Sequence, residues 1–195
     1  MRRFFRAAER DLPSRAFRGT KSLLPITFLF VAVVAITNCR KSEDQTASRT
    51  DNNYVLGSVI QFGSGGGSER FRQSGWSDTE KQFTWTIGSS AALKLSVDPS
   101  DQPLNLRMRL TALKAPQLPF QPVEVFANEQ KIADWKVSDT ADFTAVIPAP
   151  TVKSGGILTI QLKTPNAASP KDLGLSEDPR VLGVLCSELA ITAAP

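Results

Sequence analysis

Apolar and polar residues alternate along most of the chain after residue 53. The alternation is clearest between Leu104 and Leu110, where every second residue is apolar. Because successive side chains of a β-strand point to opposite faces of the sheet, this spacing predicts strands with one buried face. The predicted strands are residues 54–62, 82–87, 91–97, 104–113, 122–127, 131–137, 142–147, 157–163 and 181–192.

Turn-forming sequences separate these strands. They include Asp98-Pro99-Ser100-Asp101 and Ser154-Gly155-Gly156. Asn128-Glu129 predicts a tight hairpin, although glycine would suit its second position better. No apolar repeat of 3.6 residues is sustained after residue 53, so no long helix is expected in this part. The pattern predicts an all-β fold, an antiparallel β-sandwich with a jelly-roll-like topology.

The first 53 residues have a different composition. Residues 1–22 are cationic, residues 23–39 are uncharged and largely apolar, and residues 40–53 are polar. A cationic front before an apolar stretch is typical of an exported chain. We therefore expect one N-terminal hydrophobic helix, a flexible linker over 40–53 and a β-sandwich domain over 54–195. The domain is expected to face the periplasm or extracytoplasmic space, attached to the inner membrane.

Three interpretations of the apolar stretch stay open. Its length suits a cleaved signal, but no pair of small residues with cleavage-site spacing precedes Cys39 cleanly. Ile36-Thr37-Asn38-Cys39 resembles a lipobox, which would make Cys39 a lipidation site, although Asn38 stands where a small residue is expected. The long cationic front favours an uncleaved anchor, although residues 23–39 are fewer than the roughly 20 that span a bilayer.

Charge and composition exclude several classes of function. Residues 1–38 hold seven basic and two acidic side chains, so the whole-chain net charge of +4 leaves −1 for residues 39–195. A domain without a basic surplus is not expected to bind nucleic acid. The chain has no histidine, which removes the commonest general base and most catalytic zinc sites. Neither an enzyme nor a cofactor is predicted, and Cys186 is expected to be a small buried core residue.

The candidate ligand-binding residues are Trp76, Ser77, Glu80 and Arg180. Trp76 lies in a Gly-Trp-Ser turn, and an indole ring can stack on the C–H face of a sugar. Burial in the core is the more frequent role of so large an aromatic side chain. Arg180 follows Asp-Pro in a predicted turn, where a guanidinium can instead satisfy loop carbonyls.

Two nearby segments have plainer interpretations. Trp85 alternates with Phe83 and Ile87, which predicts that all three face the core. The glycine-rich run 63–68 lacks the Gly-Lys-Ser/Thr ending and the following helix of a phosphate loop, and it predicts a flexible loop.

Asp78 and Glu80 lie two residues apart, so in an extended segment they point to the same side. Such a pair could serve glycoside hydrolysis or hold a calcium ion. The interpretation we favour is structural, with these carboxylates capping loop backbone groups or pairing with an arginine such as Arg180, Arg70 or Arg72.

Two ordered segments give the chain a family resemblance. The first comprises Phe62-Gly63, Gly75-Trp76-Ser77, Glu80, Trp85 and Gly88; the second comprises Ser169-Pro170, Leu173-Gly174-Leu175-Ser176, Asp178, Arg180 and Leu182-Gly183. Together they resemble bacterial extracytoplasmic β-sandwich domains of unknown function, which are similar to carbohydrate-binding modules and occur on membrane sugar-transferring or envelope enzymes. Asn128-Glu129 departs from the Asn-Gly turn of that pattern. The resemblance covers about residues 54–192.

The resemblance implies a non-catalytic accessory module that binds a glycan or an envelope polymer. A second hypothesis is a structural or protein-docking module without a small-ligand site. A third, an enzyme, would require Asp78 or Glu80 to lie in a cleft beside another carboxylate.

Overall fold

The computed structural model describes residues 52–194. The predictions for residues 1–22 and 23–39, including the hydrophobic helix and lipidation at Cys39, lie outside these residues, as does nearly all of the predicted linker. Within the described range, no helix has the length and apolarity needed to cross a membrane.

Ten strands and two single-turn helices are present in residues 52–194. The strands are β1 (Val59–Gln61), β2 (Arg72–Ser74), β3 (Thr84–Ile87), β4 (Ser90–Val97), β5 (Leu104–Ala112), β6 (Gln121–Ala127), β7 (Gln130–Val137), β8 (Ala141–Ile147), β9 (Gly156–Lys163) and β10 (Leu182–Ala193). A 3-10 helix spans Ser68–Arg70, and α1 spans Ala149–Val152. The predicted strands from 82–87 onward are confirmed to within about two residues.

The strands form two five-stranded sheets. Sheet I has the order β1-β10-β5-β8, with β3 also paired to β10; sheet II has the order β2-β4-β9-β6-β7. Every pair of named strands is antiparallel. The chain changes sheet at most connections, which gives the jelly-roll-like antiparallel sandwich that the sequence predicted.

The core lies between the two sheets. On β5, Leu104, Leu106, Met108 and Leu110 are fully buried, while the residues between them face outward. Leu93 and Leu95 on β4 oppose them from sheet II, together with buried residues of β9 and β6. Full burial of one such side chain contributes about 1.5–3 kcal/mol. Burial of these apolar strand faces is therefore the main source of stability for the sandwich.

Cys186 is completely buried in this core, as predicted. Burial raises the pKa of its thiol well above the ordinary value, because a thiolate is poorly solvated in apolar surroundings.

The segment 54–62 is a strand only at its end. Tyr54 donates its backbone N–H to the Ser96 carbonyl of sheet II at 2.8 Å, whereas the Tyr54 hydroxyl accepts from the Ile191 N–H of sheet I at 2.7 Å. The segment thus crosses between the sheets before it pairs as β1, so the long strand prediction was wrong here. The short strand β2 was missed because three residues are too few to establish an alternation.

The predicted hairpin between β6 and β7 is confirmed. Asn128 and Glu129 have φ angles of 44° and 69°, which is the left-handed pair that a two-residue hairpin turn requires. The Asn128 Oδ1 atom accepts the backbone N–H of Thr159 at 2.8 Å and ties the turn to β9.

We expect Glu129→Gly to raise the free energy of unfolding by about 0.5–1 kcal/mol. Glycine adopts a positive φ without the steric cost that Glu129 incurs, although it also increases the freedom of the unfolded chain. Urea denaturation would measure the change. Glu129→Ala retains a Cβ and serves as the control; an equal gain in that variant would contradict the explanation.

Candidate functional site

The segment Gly75-Trp76-Ser77 connects the two sheets. The Ile87 N–H donates to the Gly75 carbonyl at 2.8 Å, and the Ser77 N–H donates to the Trp85 carbonyl at 2.9 Å. Gly75 has a φ of 73°, and a Cβ there would lie 2.0 Å from the Ser90 carbonyl oxygen. Only glycine fits this crossing, which explains why the turn reads Gly-Trp-Ser.

Trp76 is half-buried and packs against the edge of the core. Its ring centroid lies 5.2 Å from that of Phe62, and its Nε1–H donates to the Ala92 carbonyl at 2.9 Å. The polar atom of the indole is thus engaged inside the domain. Only the remaining exposed part of the ring is available to a ligand.

Ser77 has a structural position. It is buried, its hydroxyl accepts from the Trp85 N–H at 3.1 Å, and the same hydroxyl donates to the Asp78 carbonyl at 2.7 Å. These bonds attach the turn to β3. The Ser77 hydroxyl is therefore already engaged by the backbone of the domain.

Arg72 holds the same turn from the other side. Its guanidinium donates to the Ser77 carbonyl and to the Thr79 hydroxyl, each at 2.9 Å, and lies 3.7 Å from the Glu69 carboxylate. A hydrogen bond from the Glu69 backbone N–H is the main cause that holds the pKa of Glu69 below its ordinary value, with Thr79 and Arg72 adding to it. Arg72 thus pairs with Glu69, which lies closer along the chain, and the predicted pairing with Asp78 or Glu80 was wrong.

Arg180 pairs with Asp178 in a two-pronged contact. The Arg180 Nε–H donates to Oδ1 at 3.0 Å, and Nη2 donates to Oδ2 at 2.7 Å. These bonds lower the pKa of Asp178 and raise the pKa of Arg180; the negative charges of Glu80 and Asp78 add weakly to the latter. The predicted direct pairing of Arg180 with Asp78 or Glu80 was wrong, because Asp178 is the acid that the turn places within reach.

Asp78 and Glu80 are exposed. No group of three acidic or thiol side chains within residues 52–194 is arranged to hold a metal ion. The Glu80 backbone carbonyl accepts from the N–H and the hydroxyl of Ser64. This contact secures the glycine-rich loop to the turn.

Trp85 does not face the core, contrary to the prediction. Thr84 and Thr86 are the fully buried residues of β3, so Trp85 lies on the outer face, where its ring meets Phe83 edge-on at 6.1 Å. The threonine hydroxyls are satisfied inside: Thr84 donates to the Phe62 carbonyl at 2.7 Å, and Thr86 accepts from the Val184 N–H at 2.9 Å. Because the backbone satisfies both hydroxyls, the face of β3 that carries the threonines can be buried.

Gly183 lies where the two segments of the family resemblance meet. A Cβ on Gly183 would stand 2.7 Å from the hydroxyl oxygens of both Thr86 and Thr164. The Gly88 N–H also donates to the Val181 carbonyl at 2.8 Å. Much of both segments therefore joins β3 to β10.

A groove crosses the outer face of sheet II beside the Gly-Trp-Ser turn. It consists of two adjoining depressions of about 250 and 510 Å³ that share Gln73 and Ser74. The smaller is lined by Glu69, Arg72, Gln73, Ser74, Gly75, Trp76 and Ser77, and the larger by Gln73, Ser74, Ala92, Asn128, Glu129, Thr159 and Gln161. Trp76 and Ser77 thus belong to the groove, whereas Glu80 and Arg180 lie outside it.

The floor of the larger depression follows the strand register. Ser74 of β2 lies opposite Ala92 of β4, Ala92 opposite Gln161 of β9, and Gln161 opposite Phe126 of β6. Residues opposite each other in antiparallel strands share a face, so these four form one row. Sequence reasoning missed Gln73, Asn128, Thr159 and Gln161. The alternation marks Thr159 and Gln161 as outward-facing, but it does not reveal which strands are neighbours.

No protein-family model and no curated protein matches the sequence. Solved carbohydrate-binding modules do match the structure. They include a CBM36 domain of a xylanase from the hindgut metagenome of Trinervitermes trinervoides, with 12% identity over 71% of this chain and 98% of that one at a TM-score of 0.44. The CBM22-1 xylan-binding domain of Paenibacillus barcinonensis Xyn10C matches with 12% identity over 70% and 92%, at a TM-score of 0.45.

A third match is CsCBM6-3 from Clostridium stercorarium in complex with cellobiose, with 11% identity over 70% of this chain and 94% of that one at a TM-score of 0.40. All three TM-scores lie below 0.5. The fold assignment therefore rests on the strand pairing itself, and no ligand is transferred from these modules.

We expect Trp76→Ala to lower the free energy of unfolding by about 3 kcal/mol, because it removes packing against Phe62 and leaves the Ala92 carbonyl without its donor. Trp85→Ala is the matched control and should cost about 1 kcal/mol or less, because that ring lies on the outer face. Chemical denaturation would measure both. A larger loss in the Trp85 variant would contradict the assigned positions.

Proposed function

We propose that this domain is a non-catalytic module that binds a glycan or an envelope polymer in the groove on sheet II. The observation that supports this most directly is the lining of the larger depression, where five of the seven side chains are uncharged amides or hydroxyls. Sugar hydroxyls act as both donors and acceptors, and amide side chains offer both functions in return. Gln73 is exposed and borders both depressions, which makes it the central contact.

Trp76 suits this function within the limits of its burial. Its exposed part lines the smaller depression, where an apolar ring surface can contact the C–H groups of a sugar. Arg72 and Glu69 adjoin it, and their mutual contact leaves them positioned in advance. The shared wall at Gln73 and Ser74 suits an extended ligand that occupies both depressions.

The carboxylates of the groove support a binding role over catalysis. Glu69 is engaged by Thr79 and Arg72, and Glu129 lies on the hairpin turn at the larger depression. Asp78 and Glu80, the acidic pair considered for hydrolysis, lie outside the groove. A glycosidase would need two carboxyl groups on either side of one sugar linkage.

A structural or docking module is the second candidate. The internal hydrogen bonds of Ser77 and the pairing of Arg180 with Asp178 favour it for those two residues. Under this function Gln73 would have no ligand, and no polymer would bind.

We also propose that the domain lies outside the cytoplasm, tethered to the inner membrane through residues 23–39. The basis is the cationic front and apolar stretch of the sequence. Mass spectrometry of the membrane-bound form is expected to find residues 1–22 still attached. A chain that begins at a diacylated Cys39 would contradict the uncleaved anchor and establish a lipoprotein, and a soluble extracytoplasmic form would contradict the tether.

The groove is tested by glycan-array and polysaccharide pull-down measurements with the full-length chain in a detergent that contains no sugar. We expect binding to at least one polymer, and Gln73→Ala should weaken it about tenfold, which corresponds to about 1.4 kcal/mol. Gln102→Ala, an exposed glutamine between β4 and β5, should retain wild-type affinity. Absence of binding to any polymer, or equal losses in the two variants, would refute the groove as the site.

A further inference from the structure

Phe126 and Lys163 lie beside Gln161, at the edge of the groove. Phe126 lies directly opposite Gln161 in the strand register, and Lys163 is two residues further along β9 on the same face. The Lys163 ammonium stands 4.4 Å from the centroid of the Phe126 ring. An aromatic face, an ammonium group and an amide therefore adjoin one another at the end of the groove floor.

The Lys163 ammonium has no acidic partner in the described part of the chain. Glu124 is the acid opposite it in the register, but the Glu124 carboxylate accepts from Lys131 at 2.9 Å. Asp134, on the next strand, also binds Lys131, at 2.7 Å. Both nearby carboxylates are thus engaged by another cation, and Lys163 keeps its charge available to a ligand.

Lys94 adds a second cation beside the floor. It lies opposite Thr159 in the register and points outward from β4 between two buried leucines. Among residues 52–194 it too lacks an ion-pair partner. The floor residues Thr159 and Gln161 are therefore flanked by two ammonium groups, those of Lys94 and Lys163, and Glu129 is the carboxylate that lines the same depression.

We propose that the ligand of the groove is an acidic polysaccharide and that one of its uronic acid residues binds at Phe126 and Lys163. This inference rests on the proposed function and names its substrate class. The apolar face of a pyranose would contact the Phe126 ring, and its carboxylate would pair with the Lys163 ammonium. A sugar hydroxyl would donate to the Gln161 Oε1, since the Gln161 Nε2 already donates to the Ser90 hydroxyl at 3.0 Å. A sugar that contacts the Phe126 ring displaces the Lys163 ammonium from it and so removes the cation–π interaction. The carboxylate of a uronic acid replaces that interaction with a charge-assisted hydrogen bond, whereas a neutral sugar does not.

Sheet II contains a matched control away from the groove. Lys136 lies over the Phe120 ring at 4.1 Å and also lacks an acidic partner in residues 52–194. It is opposite Pro122, four residues before Phe126 and hence roughly 13 Å away along β6. Lys163→Gln and Lys136→Gln thus remove the same charge from the same kind of aromatic contact, near the groove and away from it.

Binding of the full-length chain to polygalacturonate, neutral galactan and dextran sulfate tests the proposal in a sugar-free detergent at physiological salt. We expect polygalacturonate to bind at least about tenfold more tightly than galactan. Lys163→Gln should remove that preference, Phe126→Leu should weaken polygalacturonate binding, and Lys136→Gln should leave it within about twofold of wild type. Thermal melting of each variant confirms that the fold is retained.

The outcomes separate the two proposals. Equal binding of galactan and polygalacturonate, unaffected by Lys163→Gln, would refute the acidic ligand while the groove remains a glycan site. Equal losses in Lys163→Gln and Lys136→Gln, with dextran sulfate bound as tightly as polygalacturonate, would show general attraction of polyanions and refute the Phe126–Lys163 site. If none of these polymers binds while a neutral glycan of the array does, only the acidic ligand fails; if nothing binds at all, both proposals fail.

Discussion

The close contact of Gly183 with Thr86 and Thr164 is the constraint on which much of the domain depends. The hydroxyl groups of Thr86 and Thr164 both occupy the space beside Gly183, and a Cβ at residue 183 would leave no room for them. Without that Cβ, β3 can pack against β10 with Thr86 facing inward. Because the threonines of β3 face inward, Trp85 faces outward, and the backbone of residues 75–77 can hydrogen-bond to β3. The second glycine constraint, at Gly75, then brings Trp76 against the Ala92 carbonyl. The corner of the groove is a consequence of these backbone contacts.

The chemistry of the groove comes from the face of sheet II that points away from the core. Burial determines which side of each strand is apolar, and the remaining side is free to carry amide, hydroxyl and ammonium groups. The register of β2, β4, β9 and β6 aligns Ser74, Ala92, Gln161 and Phe126 in one row. A small residue such as Ala92 at the centre of that row leaves space above the sheet. The site is thus a property of neighbouring strands, and no single segment contains it.

Two predictions about side chains around the site, the face of Trp85 and the partner of Arg180, were wrong for separate local reasons. Alternation shows that every second residue of β3 shares a face, but it does not show which face is buried. Threonines can be buried when their hydroxyls bond to the backbone, so the prediction placed Trp85 on the wrong face. Arg180 was assigned to Asp78 or Glu80 by charge, whereas the turn at Pro179 places Asp178 within 3 Å of it. For Ser77, a candidate ligand contact, the hydroxyl is occupied by the backbone of β3 and of its own turn.

The sequence by itself determined the all-β class, most strand positions, the hairpin at Asn128 and the burial of Cys186. These follow from local rules, since side-chain alternation, turn preference and apolarity act over a few residues. Tertiary structure alone decided the order of strands in each sheet, the phase of β3 and the union of Gln73, Asn128, Thr159 and Gln161 in one groove. Those features depend on pairings such as β4 with β9 and β3 with β10, whose partner residues lie 59 to 102 positions apart. The alternation within one strand does not specify which strand lies beside it.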